Sequence, residues 1–251
     1  MSLAVVIITK NEEKNILHCL ESIDSYCDEI VVLDSYSTDN TKDLVSKFSK
    51  VRFYQRAFDD YIQQKNYANA LVKSDYILSL DADEYADDSL QSFIKSKEYK
   101  RYDAIQFLRI NYVNKYPVKF GLWRRDVKIR LWKKELGNWT GSIPHEHLDL
   151  RLNANVLNSK ATISHSAYKN CEQMKMKAEN YALLASKNYR SRSSVSLIWS
   201  MIINPLFKFF KGYFLLQGFR DGSIGWEIAK VSLIETFNKY FYALKSKFQN
   251  N

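Results

Sequence analysis

The sequence predicts an α/β fold, a mostly parallel sheet flanked by helices, followed by a helical C-terminal region. Three observations predict it. Short apolar runs rich in Val and Ile alternate with stretches of helical period from Leu3 to Asp81, the pattern of a sheet covered by helices on both faces. Three of those runs end in distinctive polar residues: Thr9 to Glu12, Asp34 to Asp39, and Asp81 to Glu84. Ligands of such sheets bind outside the C-terminal ends of the strands. From Cys171 onward the apolar spacing is helical.

Taken in order, Leu3 to Ile8 is a continuous β-branched run, as expected of a strand buried on both faces. Ile16, Leu17, Leu20 and Ile23 recur at helical spacing. Glu29–Leu33 is the next strand. Thr38 or Asp39 then caps a helix carrying Leu44, Val45 and Phe48. Val51–Tyr54 is a third strand, Tyr61–Val72 a helix, and Tyr76–Asp81 a fourth strand. After residue 88 the pattern changes. Tyr102–Asn111, Val127–Trp132 and Ala161–Ser166 read as strands. Tyr116 to Arg125 between them is an aromatic, basic loop that either shapes a binding site or packs on the surface. Gly141-Ser-Ile-Pro-His-Glu-His147 reads as a loop with a dense titratable cluster.

Ser196–Leu216 is strongly apolar, but Pro205, Lys208 and Lys211 interrupt it. It falls short of the ~18–20 clean residues of a membrane span. Ser196, Ser200, Asn204 and Lys208 form one narrow polar stripe on a wide apolar helix. Such a helix is either buried against the domain or lies in a membrane interface. The interface reading is preferred because the charge is uneven. Residues 1–110 carry 14 Lys and Arg against 19 Asp and Glu, and residues 111–251 carry 23 against 9. A basic half attracts anionic lipid, a phosphorylated glycan or nucleic acid. No basic low-complexity tail or nucleic-acid motif accompanies it, so no nucleic-acid partner is expected. Three cysteines without metal-ligand spacing point to a reducing compartment and no disulfide framework. The first residues lack the basic leader of a signal peptide.

The chemistry concentrates in Leu80-Asp-Ala-Asp-Glu84. In an extended chain Asp81 and Asp83 face the same side, roughly 6–7 Å apart. Two such carboxylates repel unless a cation or proton lies between them. A divalent metal held by one or two carboxylates, with substrate phosphates and water completing its shell, is the usual magnesium arrangement. An acidic turn after a strand is the bland alternative, and the convergence of three polar strand ends weighs against it. The run His145-Glu146-His147 lacks a fourth ligand and is a poor zinc site. His18, on the first helix, is expected to be structural.

Val6-Ile-Ile-Thr-Lys-Asn-Glu12, Val31 to Thr41, Gln64-Lys-Asn-Tyr-Ala68 and Leu80-Asp-Ala-Asp-Glu84 together resemble the family 2 glycosyltransferases, in the family's order. The second half is similar to a bacterial branch that adds sugars to the lipopolysaccharide inner core, typified by β-1,4-glucosyltransferases. That likeness rests on Arg130-Leu-Trp132, Pro144-His-Glu146, Ser164 to Tyr168, Lys177 to Tyr181 and Gln217-Gly-Phe-Arg-Asp-Gly222. Arg220 stands where the branch has Leu, and Pro144 where Val is common.

The resemblance implies a GT-A nucleotide-sugar-binding fold. It implies a catalytic domain over 1–168, with a nucleotide-binding half (1–90) and an acceptor half (91–168). A membrane-associating helical extension covers 169–251. Thr9, Asn11, Glu12, Asp34, Lys65 and Asp81 would bind the nucleotide sugar. Asp83 and His165 would hold a divalent metal, Mg2+ or Mn2+. His145, Arg130 and Trp132 would serve the acceptor side.

The implied reaction is inverting transfer of a sugar, glucose by the likeness, from a UDP-sugar to a lipid-linked phosphorylated glycan, the lipopolysaccharide inner core by the same likeness. The implied place is the cytoplasmic face of the bacterial inner membrane, at an anionic surface. A carboxylate must accept the acceptor's proton. Glu146 is the first choice, with Glu84, His145 and His147 as alternatives. A different lipid-linked or capsular glycan remains an alternative acceptor. A nucleotidyltransferase and a non-catalytic glycan-binding module rank lower, the former because the sequence lacks a Gly-rich phosphate loop.

Overall fold

The computed structural model describes residues 1–142 and 145–249, with Ser142, His145 and Gln249 described by their backbone. The chain forms two compact units: residues 1–109 with 126–165, and residues 110–125 with 166–251.

The first unit is built on a mixed sheet. Strands β1 (Leu3–Thr9), β2 (Glu29–Asp34), β3 (Val51–Gln55) and β4 (Tyr76–Asp81) lie in the order β3-β2-β1-β4 and are all parallel. The sheet continues through β8 (Asp126–Lys133), β6 (Ala104–Val113), β11 (Val156–Tyr168) and β5 (Glu84–Ala86). The β4/β8, β8/β6 and β11/β5 pairs are antiparallel. The sheet is therefore mixed rather than mostly parallel. Only the first four strands are joined by helical crossovers, which parallel pairing requires.

Those crossovers are α1 (Ile16–Ile23), α2 (Thr41–Val45) and α3 (Tyr61–Ala70). Ile16, Cys19, Leu20 and Ile23 of α1 lie in one core with Leu3, Val5 and Ile7 of β1, while Ala4 and Val6 lie with Ala68 in a second core. The alternation of β1 thus feeds both faces, which is why the run carries no polar residue. Asp60 caps α3, its side chain accepting from Gln63 N at 2.7 Å. Helix α2 begins at Thr41 after Asn40, later than Thr38 or Asp39 would place it, and ends before Phe48. Asp39 still accepts from the Thr41 backbone N–H at 3.0 Å.

Between α4 (Asp88–Ser96) and the end of the unit lies one departure from expectation. Of the stretch read as a loop over residues 141–147, Gly141 and Ser142 belong to β9 (Gly137–Ser142) and His145, Glu146 and His147 to β10 (His145–Leu150), which pairs with it. Trp139 stands opposite Leu148, and both are buried in the core that holds Ala68. Asn66 of α3 staples the hairpin, accepting from Trp139 N at 2.8 Å and donating to Trp139 O at 2.9 Å. Ile143, Pro144 and the His145 side chain lie outside the described residues.

The second unit packs α5 (Cys171–Ser186), α6 (Ser194–Phe210) and α7 (Gly222–Gln249) with the segment 110–125, which contains β7 (Tyr116–Pro117). Val113 and Val118 share a core with Met174, Ala178, Ile228 and Val231. Two residues of the polar stripe of α6 are tied to α7, while Ser196 at its start is exposed. Asn204 donates to Tyr240 OH at 2.9 Å, and Lys208 pairs with Glu235 at 3.7 Å. Ile198, Trp199, Ile202, Ile203, Leu206 and Phe207 face outward, Trp199 62% and Phe207 60% exposed. No helix among the described residues is long and apolar enough to cross a membrane.

Candidate active site

Register brings the expected strand ends together. On the parallel strands Thr9 stands opposite Asp34, and Ile8 opposite Asp81. The two loops that follow β1 and β2 are laced to each other. Asn11 donates its backbone N–H to Ser37 Oγ at 2.8 Å, and its Oδ1 accepts from Thr38 N at 2.8 Å. Glu12 N donates to Thr41 Oγ1 at 2.9 Å. Asn11 and Tyr36 take positive φ (55° and 57°), which lets each loop turn back at the rim.

Asp34 is fully buried yet fully engaged. Its carboxylate accepts from Ser37 N at 2.8 Å, from Ser37 Oγ, and from Gln55 Nε2 at 3.1 Å. Thr9 is different: its Oγ1 is buried with no hydrogen-bond partner among the described residues. A buried hydroxyl left unpaired costs stability, so a ligand that meets it gains what the fold forgoes.

The carboxylates at 81–84 do not form the facing pair expected of an extended chain. Strand β4 ends at Asp81, the chain turns at Ala82 and Asp83, and β5 begins at Glu84. The three side chains therefore point to different partners. Asp81 meets Lys65 Nζ at 3.2 Å and Arg130 Nη2 at 2.7 Å. Glu84, with no exposure, accepts from Arg130 at 2.6 Å and Arg109 at 2.8 Å, and from the Asp81 backbone N–H at 3.0 Å. Arg109 also pairs with Asp126 at 2.6 Å, its opposite number on β8. Burial pushes the Asp81 carboxyl up, but Arg130, Lys65 and Arg109 outweigh it and hold Asp81 well below the usual carboxylate range. Burial also opposes charge on Arg130, and Asp81 and Glu84 reverse that effect.

Arg130 reaches this position through a β-bulge. Ile105 pairs with Leu131 and Gln106 with Ile129, so Arg130 is the extra residue with nothing opposite it on β6. Arg130, Leu131 and Trp132 are in consequence all buried. Two of the residues expected on the acceptor side are buried. Trp132 has no exposure and packs against Trp139, so it offers no face to a ligand. Arg130 is 3% exposed and spends its charge on Asp81 and Glu84. Glu84 is likewise withdrawn as a proton acceptor, because both its oxygens are occupied within the core.

Asp83 and His165 form a separate pair. Antiparallel pairing of β5 with β11 sets His165 opposite Glu84, beside Asp83. His165 Nε2 lies 3.3 Å from Asp83 Oδ2, and both side chains remain partly exposed. Adjacent donors of an octahedral ion at about 2.1 Å are about 3 Å apart, so these two atoms fit neighbouring positions on one small divalent cation. No cluster of three or more His, Cys, Asp or Glu suited to a metal occurs among the described residues. The fit is thus to an ion whose remaining ligands are substrate oxygens and water.

Glu146 lies on β10 on the same face as Leu148 and Leu150, both of which pack around Trp139. The Lys65 ammonium sits 4.4 Å from the Trp139 ring centroid. The hairpin therefore carries Glu146 on the face that meets Lys65, the cation paired with Asp81. Glu146 Oε2 is buried with no hydrogen-bond partner among the described residues. His147 points to the exposed face. His18 is exposed and meets the Tyr85 ring at a tilt, ring centroids 4.3 Å apart.

Sequence reasoning passed over Arg109 and Asp126. A cation in a strand otherwise lined by Ile105 and Phe107 was the signal, since a charge on such a strand demands a partner.

Residues 4–156 match the family described as Glycosyl transferase family 2. The chain belongs to that family and is a glycosyltransferase with a GT-A-like α/β fold. An uncharacterized glycosyltransferase of Rickettsia bellii is 27% identical over 236 residues, covering 89% of this chain and 79% of that protein. The lipopolysaccharide core biosynthesis glycosyltransferase LpsC of Rhizobium meliloti is 25% identical, covering 97% and 89%. Among solved structures, the mannosyltransferase PcManGT of Pyrobaculum calidifontis, in complex with GDP-Man and Mn2+, superposes with a TM-score of 0.52. It is 14% identical, covering 98% of this chain and 86% of that one, a likeness of fold.

Proposed function

We infer that this enzyme transfers a hexose, glucose by the sequence resemblance, from a UDP-sugar to a lipid-linked phosphorylated glycan of the lipopolysaccharide core type. The observation that carries the reading is the shared rim. Thr9 and Asp34 are paired at adjacent strand ends, Asp81 stands opposite Ile8 at the next, and Asp83, paired with His165, follows two residues after Asp81. The similarity to LpsC over 97% of the chain supports the acceptor class.

In this reading Thr9 Oγ1 and the laced loops at Asn11, Glu12 and Asp34 receive the nucleoside. Lys65 and Asp81 border the ribose and diphosphate. Asp83 Oδ2 and His165 Nε2 would hold a divalent cation, Mg2+ or Mn2+, and that ion would supply positive charge to the leaving diphosphate. Glu146 takes the proton of the acceptor hydroxyl as its oxygen bonds to the anomeric carbon. The anomeric carbon–phosphate oxygen bond breaks, and UDP leaves with the electron pair. Attack from the face opposite the leaving group inverts the anomeric centre. General-base help of this kind contributes ~10²–10⁴-fold.

The outward face of α6 supports a peripheral position on an anionic membrane, the inner face of the bacterial inner membrane. Aromatic and aliphatic side chains stand out from it in a unit carrying 17 Lys and Arg against 5 Asp and Glu. The test of the whole reading is Asp83→Ala assayed with a panel of UDP-sugars, and with GDP-mannose, on lipid-linked glycan extracts. The expected result is transfer from one UDP-sugar by the wild type and its loss in the variant. Undiminished transfer by Asp83→Ala would end the metal assignment, and transfer from GDP-mannose alone would end the UDP assignment.

A further inference from the structure

Residues 110–125 carry Lys115, Lys119, Arg124 and Arg125 and no acidic side chain. This segment leaves the first unit after Arg109 and returns at Asp126, so its two roots are residues already paired with each other. Through Arg109 they are also joined to Glu84.

The segment is held in shape from 100 residues away. The Asp221 side chain is 3% exposed, and its Oδ2 accepts from Phe120 N at 2.9 Å and Lys119 N at 3.2 Å. Its Oδ1 lies 3.5 Å from Tyr116 OH. Leu216 O accepts from Gly121 N at 2.9 Å. The Arg220 guanidinium, where the resembling branch has Leu, lies 4.1 Å over the Phe120 ring, a cation–π contact.

Asp221 reaches the loop because of close backbone packing around it. A Cβ on Gly225 would fall 1.8 Å from Gly218 O, and one on Gly218 would fall 2.7 Å from Gly212 O. Gly222 takes φ +59° as the turn enters α7. The motif Gln217–Gly222 is thus a clasp whose working group is a carboxylate aimed at consecutive loop N–H groups. A buried carboxylate on two backbone amides is a strong, directional restraint.

We propose that the clasped loop is a binding element for the phosphorylated part of the acceptor, and that Asp221 is its positioning residue. The proposal rests on the acceptor reading above and deepens it. Lys119 and Phe120 are fixed by their own backbone N–H groups, so the Lys119 side chain starts from a set point. Arg124 and Arg125 follow within five residues and precede the root at Asp126. The segment carries four cations, and the one carboxylate clasping it, Asp221, is spent on backbone N–H groups, so the loop favours an anion, and guanidinium groups favour phosphate oxygens.

The test uses the full chain saturated with UDP, so that the nucleotide site is filled, and titrates it with a hexose 1,6-bisphosphate and with the free hexose. The wild type is expected to bind the bisphosphate and not the hexose. Lys119→Ala/Arg124→Ala/Arg125→Ala is expected to weaken that binding about tenfold or more, with UDP affinity unchanged. Asp221→Asn is expected to weaken it less, to speed tryptic cleavage at Arg124 and Arg125, and to leave UDP affinity unchanged. Asp221→Glu should restore part of both. Bisphosphate binding that is absent, or equal in wild type and triple variant, overturns the loop's role. Unaltered cleavage and binding in Asp221→Asn overturn the positioning role. Failure of UDP itself to bind counts against the donor assignment and leaves the loop to be judged by the bisphosphate alone.

Discussion

Arg130 and Glu84 form an ion pair at 2.6 Å between side chains that are 3% and 0% exposed. Charges so far from water hold only while each is matched, and here Arg130 also meets Asp81 while Arg109 meets Glu84. The pair ties the bulge of β8 to the first residue of β5, and so sets where β4 releases Asp81. Arg130→Ala is expected to destabilise the fold by about 3–5 kcal/mol, because it strands Glu84 on a single guanidinium. Urea unfolding measures this. A loss below about 1 kcal/mol would show that the network is not what holds the turn.

Acid should unfold the protein through Asp81. Its carboxyl is held below its unfolded value, since burial's upward push is exceeded by Arg130, Lys65 and Arg109. The sign follows. This contribution is fully present above the unfolded carboxylate value of about 3.9 and disappears as pH falls through the folded one. Urea midpoints between pH 7 and pH 2 should therefore fall more steeply in the wild type than in Asp81→Asn. Parallel curves for the two proteins would contradict the assignment.

Glu146→Gln preserves shape and removes the proton acceptor. Sugar transfer should drop by about 10²–10⁴-fold, with UDP affinity within twofold of wild type. Single-turnover assays beside UDP titrations separate the two. Transfer at the wild-type rate would move the proton acceptor elsewhere.

Trp199→Glu/Phe207→Glu alters only outward positions of α6. Sedimentation with anionic vesicles is expected to fall at least tenfold, with the unfolding midpoint nearly unchanged. Lys208→Glu probes something else, since it would set a carboxylate beside Glu235 and strain α6 against α7. Equal sedimentation of the double variant and the wild type would remove the membrane reading.

The parallel half of the fold was legible because β1, β2 and β4 are buried on both faces and read as largely apolar runs, while the edge strand β3 is only half-buried and carries Arg52. The positions of Thr9, Asp34 and Asp81 followed from those run ends. What lay beyond periodicity was of three kinds. An extra residue in a strand, as at Arg130, leaves no mark on alternation. Gly137 and Gly141 imitate a loop where the chain runs as the strand β9, paired with β10. The stripe of Ser196, Ser200, Asn204 and Lys208 shows that α6 has two faces, but not that Asn204 and Lys208 are taken up by Tyr240 and Glu235. The Asp221 clasp joins segments 100 residues apart, and spacing carries no information about such a meeting.

The segment 110–125 has a practical consequence for anyone cutting this gene. Its Val113 and Val118 are sealed by Met174, Ala178, Ile228 and Val231, all from the last third of the chain. An expression product stopped after Tyr168 would keep Thr9, Asp34, Asp81, Asp83 and His165 and still emerge with that seam unzipped, a greasy tongue in its middle. Such a product should aggregate, and the shortest well-behaved version of the enzyme should extend at least through Val231.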